Sequence, residues 1–184
     1  VHVEKGEVSN VALEPATAEE IADTVTVMGG EDWEYWMDAL LTADLLAPNA
    51  KTVAYTYIGS ELTWPIYWEG TLGKAKADLD RASAQIQQKL QSIGGDARVA
   101  VLKAIVSQAS AAIPVVPLYA ALLFRVMKEQ GSHEECIEHI DRLFASQLQP
   151  EAEMRLDEAG RIRVDDLELA DRVQAEVKKR WPLV

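Results

Sequence analysis

The chain has 184 residues, of which 48% are hydrophobic and 26% charged, which suffices to bury the core of one globular domain. Its 30 acidic and 18 basic residues give a net charge of -12, and no run of Lys or Arg is dense enough to follow a phosphate backbone, so a nucleic-acid partner is not expected. A single cysteine, Cys136, excludes an internal disulfide and favours a reducing compartment, for which we expect the cytoplasm.

Two helices and a strand are predicted in the N-terminal third. Residues 17–20 have the spacing of a capping box, and apolar residues then repeat at helical spacing as far as Gly29. A second helix begins near Glu31, and its two tryptophans are expected to serve packing rather than chemistry. Residues 51–58 are rich in Val, Tyr, Thr and Ile without a helical period, which predicts a strand followed by a turn at Gly59.

The middle of the chain alternates between helix and strand. From Thr71 to Ile93 apolar residues recur at steps of three and four, which predicts a long amphipathic helix that closes at Gly94. Thr71 itself is a plausible N-cap of this helix. Residues 98–106 form a nearly continuous apolar run, as the strands of a doubly covered parallel sheet do.

A loop is predicted for residues 107–116, and a helix follows from Pro117 to Gly131. The apolar stretch at residues 109–124 contains two prolines and is shorter than the roughly 20 residues that a membrane-spanning helix needs. No membrane partner is therefore expected.

In the C-terminal part, the pattern of apolar residues predicts a helix over residues 133–148, a short strand over residues 161–164 and a closing amphipathic helix over residues 168–180. The mixed charges between Asp165 and Arg180 are expected to form an exposed helix face, and Glu134 and Glu135 are expected to be solvated.

This order of elements is typical of an α/β fold with a parallel sheet. Only two or three strands are visible, which is few for a self-sufficient sheet, and the chain does not begin with methionine. The expectation is therefore one helix-rich partial domain over residues 1–184, cut from something longer.

The candidate chemistry lies at Tyr67 and Lys76. Nine steps along an unbroken helix would place the two side chains on opposite faces. Gly70 and Gly73 lie between them, so Tyr67 can sit on a turn before the helix while Lys76 lies within it. A tyrosine beside an ammonium group can stabilise a developing oxyanion. Taken alone, the spacing would often occur by chance, and it favours an interfacial tyrosine and a lysine that extends its ammonium to solvent.

The surrounding motifs support the catalytic interpretation. They are EPAT at residues 14–17, VMGGEDW at 27–33, IYWEGTLG at 66–73, GGDARVAVLKA at 94–104 and LLFRVMKEQGSHEECIE at 122–138. With them, nearly the whole chain resembles the V-type enoyl-acyl-carrier-protein reductases, also called trans-2-enoyl-CoA reductases. The resemblance implies the C-terminal part of a doubly wound Rossmann-type, short-chain-dehydrogenase-like fold.

The resemblance also implies an activity, which is NADH-dependent reduction of the α,β double bond of a trans-2-enoyl thioester in fatty acid synthesis. The Tyr-x8-Lys signature of the family falls on Tyr67 and Lys76. Tyr67 would hold the enolate oxygen after hydride reaches the β carbon, and Lys76 would bind the nicotinamide ribose and tune Tyr67. The carrier would be coenzyme A or acyl-carrier protein, and the complete enzyme would be a monomer.

Further site residues follow from the same resemblance. Tyr57 would line the substrate pocket, although it could equally be a strand residue. Ser107 would face the cofactor, at a position where the family usually has threonine. Residues 110–118 would form a lid over the acyl chain, and its apolar contacts would come from Ile113, Val115 and Val116.

One departure from the family concerns the nucleotide. The family binds it with a glycine-rich turn after its first strand, whereas this chain contains no GxGxxG pattern. The glycine-rich nucleotide-binding half is thus expected to be absent. An inactive acyl-thioester-binding or structural fragment of such an enzyme is the alternative.

Two other interpretations are weaker. His133, Cys136 and His139 step by three along one predicted helix, but no fourth ligand accompanies them, so no metal site is expected. A carbonyl reductase of the wider short-chain-dehydrogenase class would place its Tyr and Lys four apart, which the spacing of Tyr67 and Lys76 does not match.

Overall fold

A computed structural model describes residues 6–150 and 152–183. Helices and strands follow the predicted alternation. The helices are α1 (Ala18–Met28), α2 (Glu31–Thr42), α3 (Thr71–Leu90), α4 (Gln108–Ala112), α5 (Val116–Glu129), α6 (Cys136–Leu143) and α7 (Asp171–Arg180), and the strands are β1 (Lys51–Thr56), β2 (Asp96–Val101) and β3 (Ile162–Arg163). Short tighter or wider helical turns follow α3, α6 and α7, at Gln91–Ile93, Phe144–Leu148 and Trp181–Leu183.

The three described strands form one parallel sheet in the order β1-β2-β3. Lys51 pairs with Asp96 at one end of the β1-β2 ladder and Thr56 with Val101 at the other, whereas β3 adds only the pairs of Ile162 and Arg163. α3 connects β1 to β2 and packs against both. The α/β class with a small parallel sheet and many helices is therefore confirmed.

Apolar side chains form the core on both sides of the sheet. α3 buries one stripe along its length, as its period predicts, and packs on Ala97 of β2, whereas Ala100 on the opposite face of that strand packs with Leu143 of α6. α5 packs on α7. The three main clusters contain Tyr119, Leu123, Val126, Met127, Val173 and Val177; Met37, Ile86, Leu90 and Ala97; and Ala100, Leu143, Ile162 and Val164. None of the helices in the described residues is long and apolar enough to cross a membrane.

Several predicted boundaries are wrong. β2 ends at Val101, and Val106 at the end of the predicted strand is 67% exposed, because no neighbouring strand pairs with this segment. The predicted loop after it contains the short helix α4, which Ser107 caps. The N-cap of α3 is Gly70 and not Thr71, which is already helical.

The charged C-terminal segments also differ from the prediction. α6 begins at Cys136 rather than at residue 133, and Glu134 is buried before it. α7 begins at Asp171, so Asp165 and Glu168 lie in the preceding turn, where both are buried. These carboxylates have hydrogen-bond partners, which is what allows their burial.

The start of α3 depends on a close backbone approach at Gly73. A Cβ built on Gly73 would lie 1.6 Å from the carbonyl oxygen of Trp68, in the turn that carries Tyr67. We expect Gly73→Ala to lower the free energy of unfolding by about 3 kcal/mol, since the turn must move to admit a methyl group. Urea unfolding of the chain measures this.

Gly131→Ala is the matched control. Gly131 has a φ of +67° but open space around its Cβ position, so only the backbone penalty of about 1 kcal/mol applies. Equal losses in the two variants would contradict the steric argument for Gly73.

Candidate active site

A cleft of about 260 Å³ opens beside the carboxyl ends of β1 and β2. The carboxyl edge of a parallel sheet is where ligands bind in α/β folds, because the loops that leave neighbouring strands diverge there. Its walls are largely apolar, and they include Met28, Leu72, Leu102, Ala104 and Ile105. The cleft therefore suits an apolar ligand that carries a few polar atoms.

Six of the seven residues predicted for the site line this cleft: Tyr57, Tyr67, Lys76, Ser107, Ile113 and Val116. Val115 is not among the lining residues. Val115 instead has a φ of +71°, in a tight turn closed by a hydrogen bond of 2.8 Å from the Val116 amide to the Pro114 carbonyl. A positive φ is costly for a β-branched residue, so this turn stores backbone strain beside the cleft.

Tyr67 and Lys76 reach the cleft from different local structures. Tyr67 lies in the turn before α3, where its amide donates to the carbonyl of Thr63 and its carbonyl accepts from the amide of Gly73. Lys76 lies in the second turn of α3. A straight helix would place the two side chains on opposite faces. Because the chain turns at Gly70, both side chains line one cleft.

Burial favours the neutral form of both side chains. Tyr67 is 9% exposed, and burial raises the pKa of its phenol, which therefore remains a hydrogen-bond donor at neutral pH. Burial also lowers the pKa of the half-buried Lys76. Among the described residues the Lys76 ammonium has neither an ion pair nor a hydrogen bond, so its donors are available to a ligand.

Tyr57 stands edge-on to Tyr67. Their ring centroids lie 5.3 Å apart with an interplanar angle of 77°, which is a favourable aromatic geometry. The Tyr57 hydroxyl donates to Oε1 of Glu168 at 2.9 Å. Burial, followed by the negative charge of Glu168, raises the pKa of Tyr57 well above its ordinary range.

Glu168 is the functional candidate that the sequence prediction missed. It is 1% exposed and accepts three hydrogen bonds, from the hydroxyls of Tyr57 and Tyr119 and, at 2.6 Å, from the amide of Ala104. Burial raises its pKa to about 7. The neighbouring mixed charges predicted an exposed helix, and only the apolar Leu167 and Leu169 on either side hinted at burial.

Ser107 contributes its hydroxyl at the exposed rim of the cleft. The oxygen accepts a hydrogen bond of 3.1 Å from the amide of Ser110 and thereby caps α4. Ser107 is among the residues that line the cleft, and its contact with the cofactor stays a prediction.

The histidine and cysteine candidates do not form a metal site. No group of three or more His, Cys, Asp or Glu side chains with the arrangement of a metal site occurs in residues 6–150 and 152–183. The Nδ1 atom of buried His139 lies 2.6 Å from Glu134, and its Nε2 accepts from the amide of Lys103. Arg142 pairs with the same glutamate, so the prediction that Glu134 is solvated is wrong.

Comparison with known proteins gives two family matches. The family model described as the trans-2-enoyl-CoA reductase catalytic region matches residues 1–149. A second one, described as the enoyl reductase FAD binding domain, matches residues 156–184.

Individual relatives agree with these matches. An NADH enoyl-[acyl-carrier-protein] reductase of Opitutus terrae is 56% identical over all of this chain, and the chain covers 47% of it. The crystal structure of Clostridium acetobutulicum trans-2-enoyl-CoA reductase in complex with NADH superposes with a TM-score of 0.96 at 46% identity, over 100% of this chain and 46% of that one. The Treponema denticola enzyme in complex with NAD gives a TM-score of 0.88 at 47% identity, over 93% of this chain and 43% of that one. The chain thus spans about half the length of the relatives it matches.

The raised pKa of Glu168 predicts a pH-dependent stability. The unfolded carboxyl titrates near 4.5 and the folded one near 7, so its contribution to stability is fully present below pH 4.5 and is lost as the pH rises through 7. The difference between the two pKa values corresponds to on the order of 3 kcal/mol. We expect urea unfolding at a series of pH values to show this decline in the wild type but not in Glu168→Gln.

The comparison of the two proteins removes the contribution of the other titrating groups, which they share. Parallel pH profiles for wild type and Glu168→Gln would contradict the raised pKa.

Proposed function

This chain belongs to the trans-2-enoyl-CoA reductase family, and on that basis we propose that it carries the catalytic and substrate-binding portion of an NADH-dependent reductase. The substrate class is a trans-2-enoyl thioester, carried by coenzyme A or by acyl-carrier protein, and the reaction reduces its α,β double bond in fatty acid synthesis. The observation that supports this most is the shared cleft of Tyr67 and Lys76, in which the ammonium has no partner among the described residues.

Tyr67 is the proposed catalytic donor. Reduction at the β carbon places negative charge on the thioester oxygen, and a buried, protonated phenol can donate to that oxygen. Lys76 supports the same charge through its ammonium group. Low solvent access strengthens both interactions, because the surrounding medium is less polar than water. The proton that completes the reaction must reach the α carbon.

The residues of the cleft fit a nicotinamide cofactor. NADH, when bound, supplies the hydride. Lys76 presents free donors for ribose hydroxyls, and Ser107 lies at the rim beyond β2, where a hydroxyl can meet a phosphate oxygen. This chain contains no glycine-rich turn, and we place that turn in the part of the enzyme that corresponds to the uncovered half of the relatives. Tight binding of NADH would then require that part.

The segment that matches the FAD binding domain model contributes to the sheet and the core rather than to the cleft. No residue from 156–183 is found among those that line the cleft. β3 extends the sheet instead, and Val173 and Val177 of α7 are buried against α5.

The apolar wall of the cleft suits the acyl chain of the substrate. Ile113 and Val116 contact the space where an acyl chain would lie, and the strained turn at Val115 sets the direction of the chain between them. The same proposal includes a Rossmann-type sheet that is completed outside residues 1–184, so that these residues form a single partial domain. It also includes a monomeric complete enzyme and a cytoplasmic location.

An acyl-thioester-binding or structural fragment without activity is the second candidate. The observation in its favour is that the chain covers only 47% of the relative from Opitutus terrae and contains no glycine-rich nucleotide fingerprint.

A chimera tests the proposal most directly. This chain replaces the matching region of the Opitutus terrae reductase, and NADH oxidation is followed with crotonyl-CoA. We expect turnover in the chimera, and we expect Tyr67→Phe to lower it about 10²- to 10³-fold, because the variant removes one donor to the oxyanion.

Tyr35→Phe is the matched control, since Tyr35 is exposed on α2 and donates only to Glu31. Its turnover should equal that of the unmodified chimera. A folded chimera that binds NADH but does not oxidise it would support the second candidate, and an unimpaired Tyr67→Phe variant would exclude Tyr67 as the donor.

A further inference from the structure

A buried hydrogen-bond network extends from the cleft to α5 and to the turn before α7. Glu168 lies at its centre, in the turn before α7, and does not line the cleft. Its Oε1 accepts from Tyr57 at 2.9 Å and from Tyr119 at 3.0 Å, and its Oε2 accepts from the Ala104 amide. One carboxylate therefore joins the segment after β1, the segment after β2 and α5.

The network determines where the proton of the Tyr57 hydroxyl points. Because that proton is donated to Glu168, it is turned away from the cleft, and the ring of Tyr57 is left as an edge-on wall for Tyr67. Tyr57 in this arrangement cannot use the same proton to hold the substrate oxygen. Its contribution to the site is the position of its ring.

We infer that Glu168 is a positioning residue of the active site, which acts by fixing Tyr57 against Tyr67 from outside the cleft. This inference rests on the proposed function, since it assigns Glu168 to the positioning of the enoyl thioester. Because Glu168 holds the Tyr57 hydroxyl, the Tyr57 ring keeps its edge-on position against the Tyr67 ring.

In the part of the chain that the structure describes, the groups that donate to the Glu168 carboxylate are neutral. Tyr57, Tyr119 and the Ala104 amide are its direct donors, and Gln174 of α7 donates to the backbone carbonyl of Glu168 and to the Tyr119 hydroxyl. Asp165, the other carboxylate nearby, raises the pKa of Glu168 further and is itself paired with Arg163.

The protonation state of Glu168 decides whether the network can hold. Both tyrosines donate more strongly to Oε1 when the carboxyl is ionised, and a hydrogen added on Oε2 would face the Ala104 amide that donates to the same oxygen. The pKa of about 7 puts this change near neutrality. Positioning of Tyr57 is therefore expected to weaken as the pH falls below 7.

A double-mutant cycle in the chimera separates positioning from a general structural role. We expect Glu168→Gln to lower kcat/KM for crotonyl-CoA about 10-fold through KM, because it removes the charge that strengthens the bond from Tyr57 and sets an NH2 donor against the Ala104 amide. The KM for NADH should change less than about twofold. In a Tyr57→Phe background the same substitution should have almost no effect, because the contact through which it acts is already gone.

Tyr119→Phe is the matched control, because it removes the other phenol bound to Oε1 and Tyr119 does not line the cleft. In this background Glu168→Gln should retain its full effect. The wild-type chimera should also lose kcat/KM for crotonyl-CoA as the pH falls through 7, and Glu168→Gln should remove that inflection.

A second measurement uses the 184-residue chain itself and needs no activity. Carbon-13 NMR of the Glu168 carboxyl should give a pKa near 7, and Tyr57→Phe should raise it, because the variant removes a donor that stabilises the ionised form. An unchanged pKa in Tyr57→Phe, or an equal loss of kcat/KM with and without Tyr57, would overturn the inference. An inactive chimera combined with the expected NMR shift would instead count against the proposed function and leave the Glu168–Tyr57 contact established.

Discussion

The parallel pairing of β1 with β2, connected by α3, is the constraint on which the candidate site depends. Parallel strands need a crossover between them, and the crossover brings both carboxyl ends to the same edge of the sheet. The turn that leaves β1 then carries Tyr57 and Tyr67, α3 carries Lys76, and the segment after β2 carries Ser107. Residues separated by up to fifty positions thus share one cleft.

Desolvation is the second physical effect that shapes the cleft. It raises the pKa of Tyr67 and lowers that of Lys76, and neither shift has a charged partner as its main cause. The site therefore holds a donor and a weakly solvated cation before any ligand arrives. In the proposed reaction, both groups would interact most strongly with the substrate when negative charge develops on its thioester oxygen.

Glu168 and Glu134 show how acidic residues are accommodated in the interior. Glu134 is held by Arg142 and His139, and its pKa is lowered although burial acts against this. Glu168 has only neutral donors, and its pKa is raised. The presence or absence of a cation decides the direction of the pKa shift in each case. Glu134 is therefore suited to a structural role, whereas Glu168 can change its protonation near neutral pH.

Local signals in the sequence determined the α/β class, the capping box at Thr17, the long helix α3 and the separation of Tyr67 from Lys76 by glycines, because periodicity, caps and turn residues act over a few positions. The motifs identified the family for the same reason. Only the tertiary structure decided that β2 stops at Val101, that Glu134 and Glu168 are buried, and that Tyr57 donates to a residue more than one hundred positions away. A charged residue in sequence carries no sign of its distant partners, and it is those partners that determine whether it can be buried.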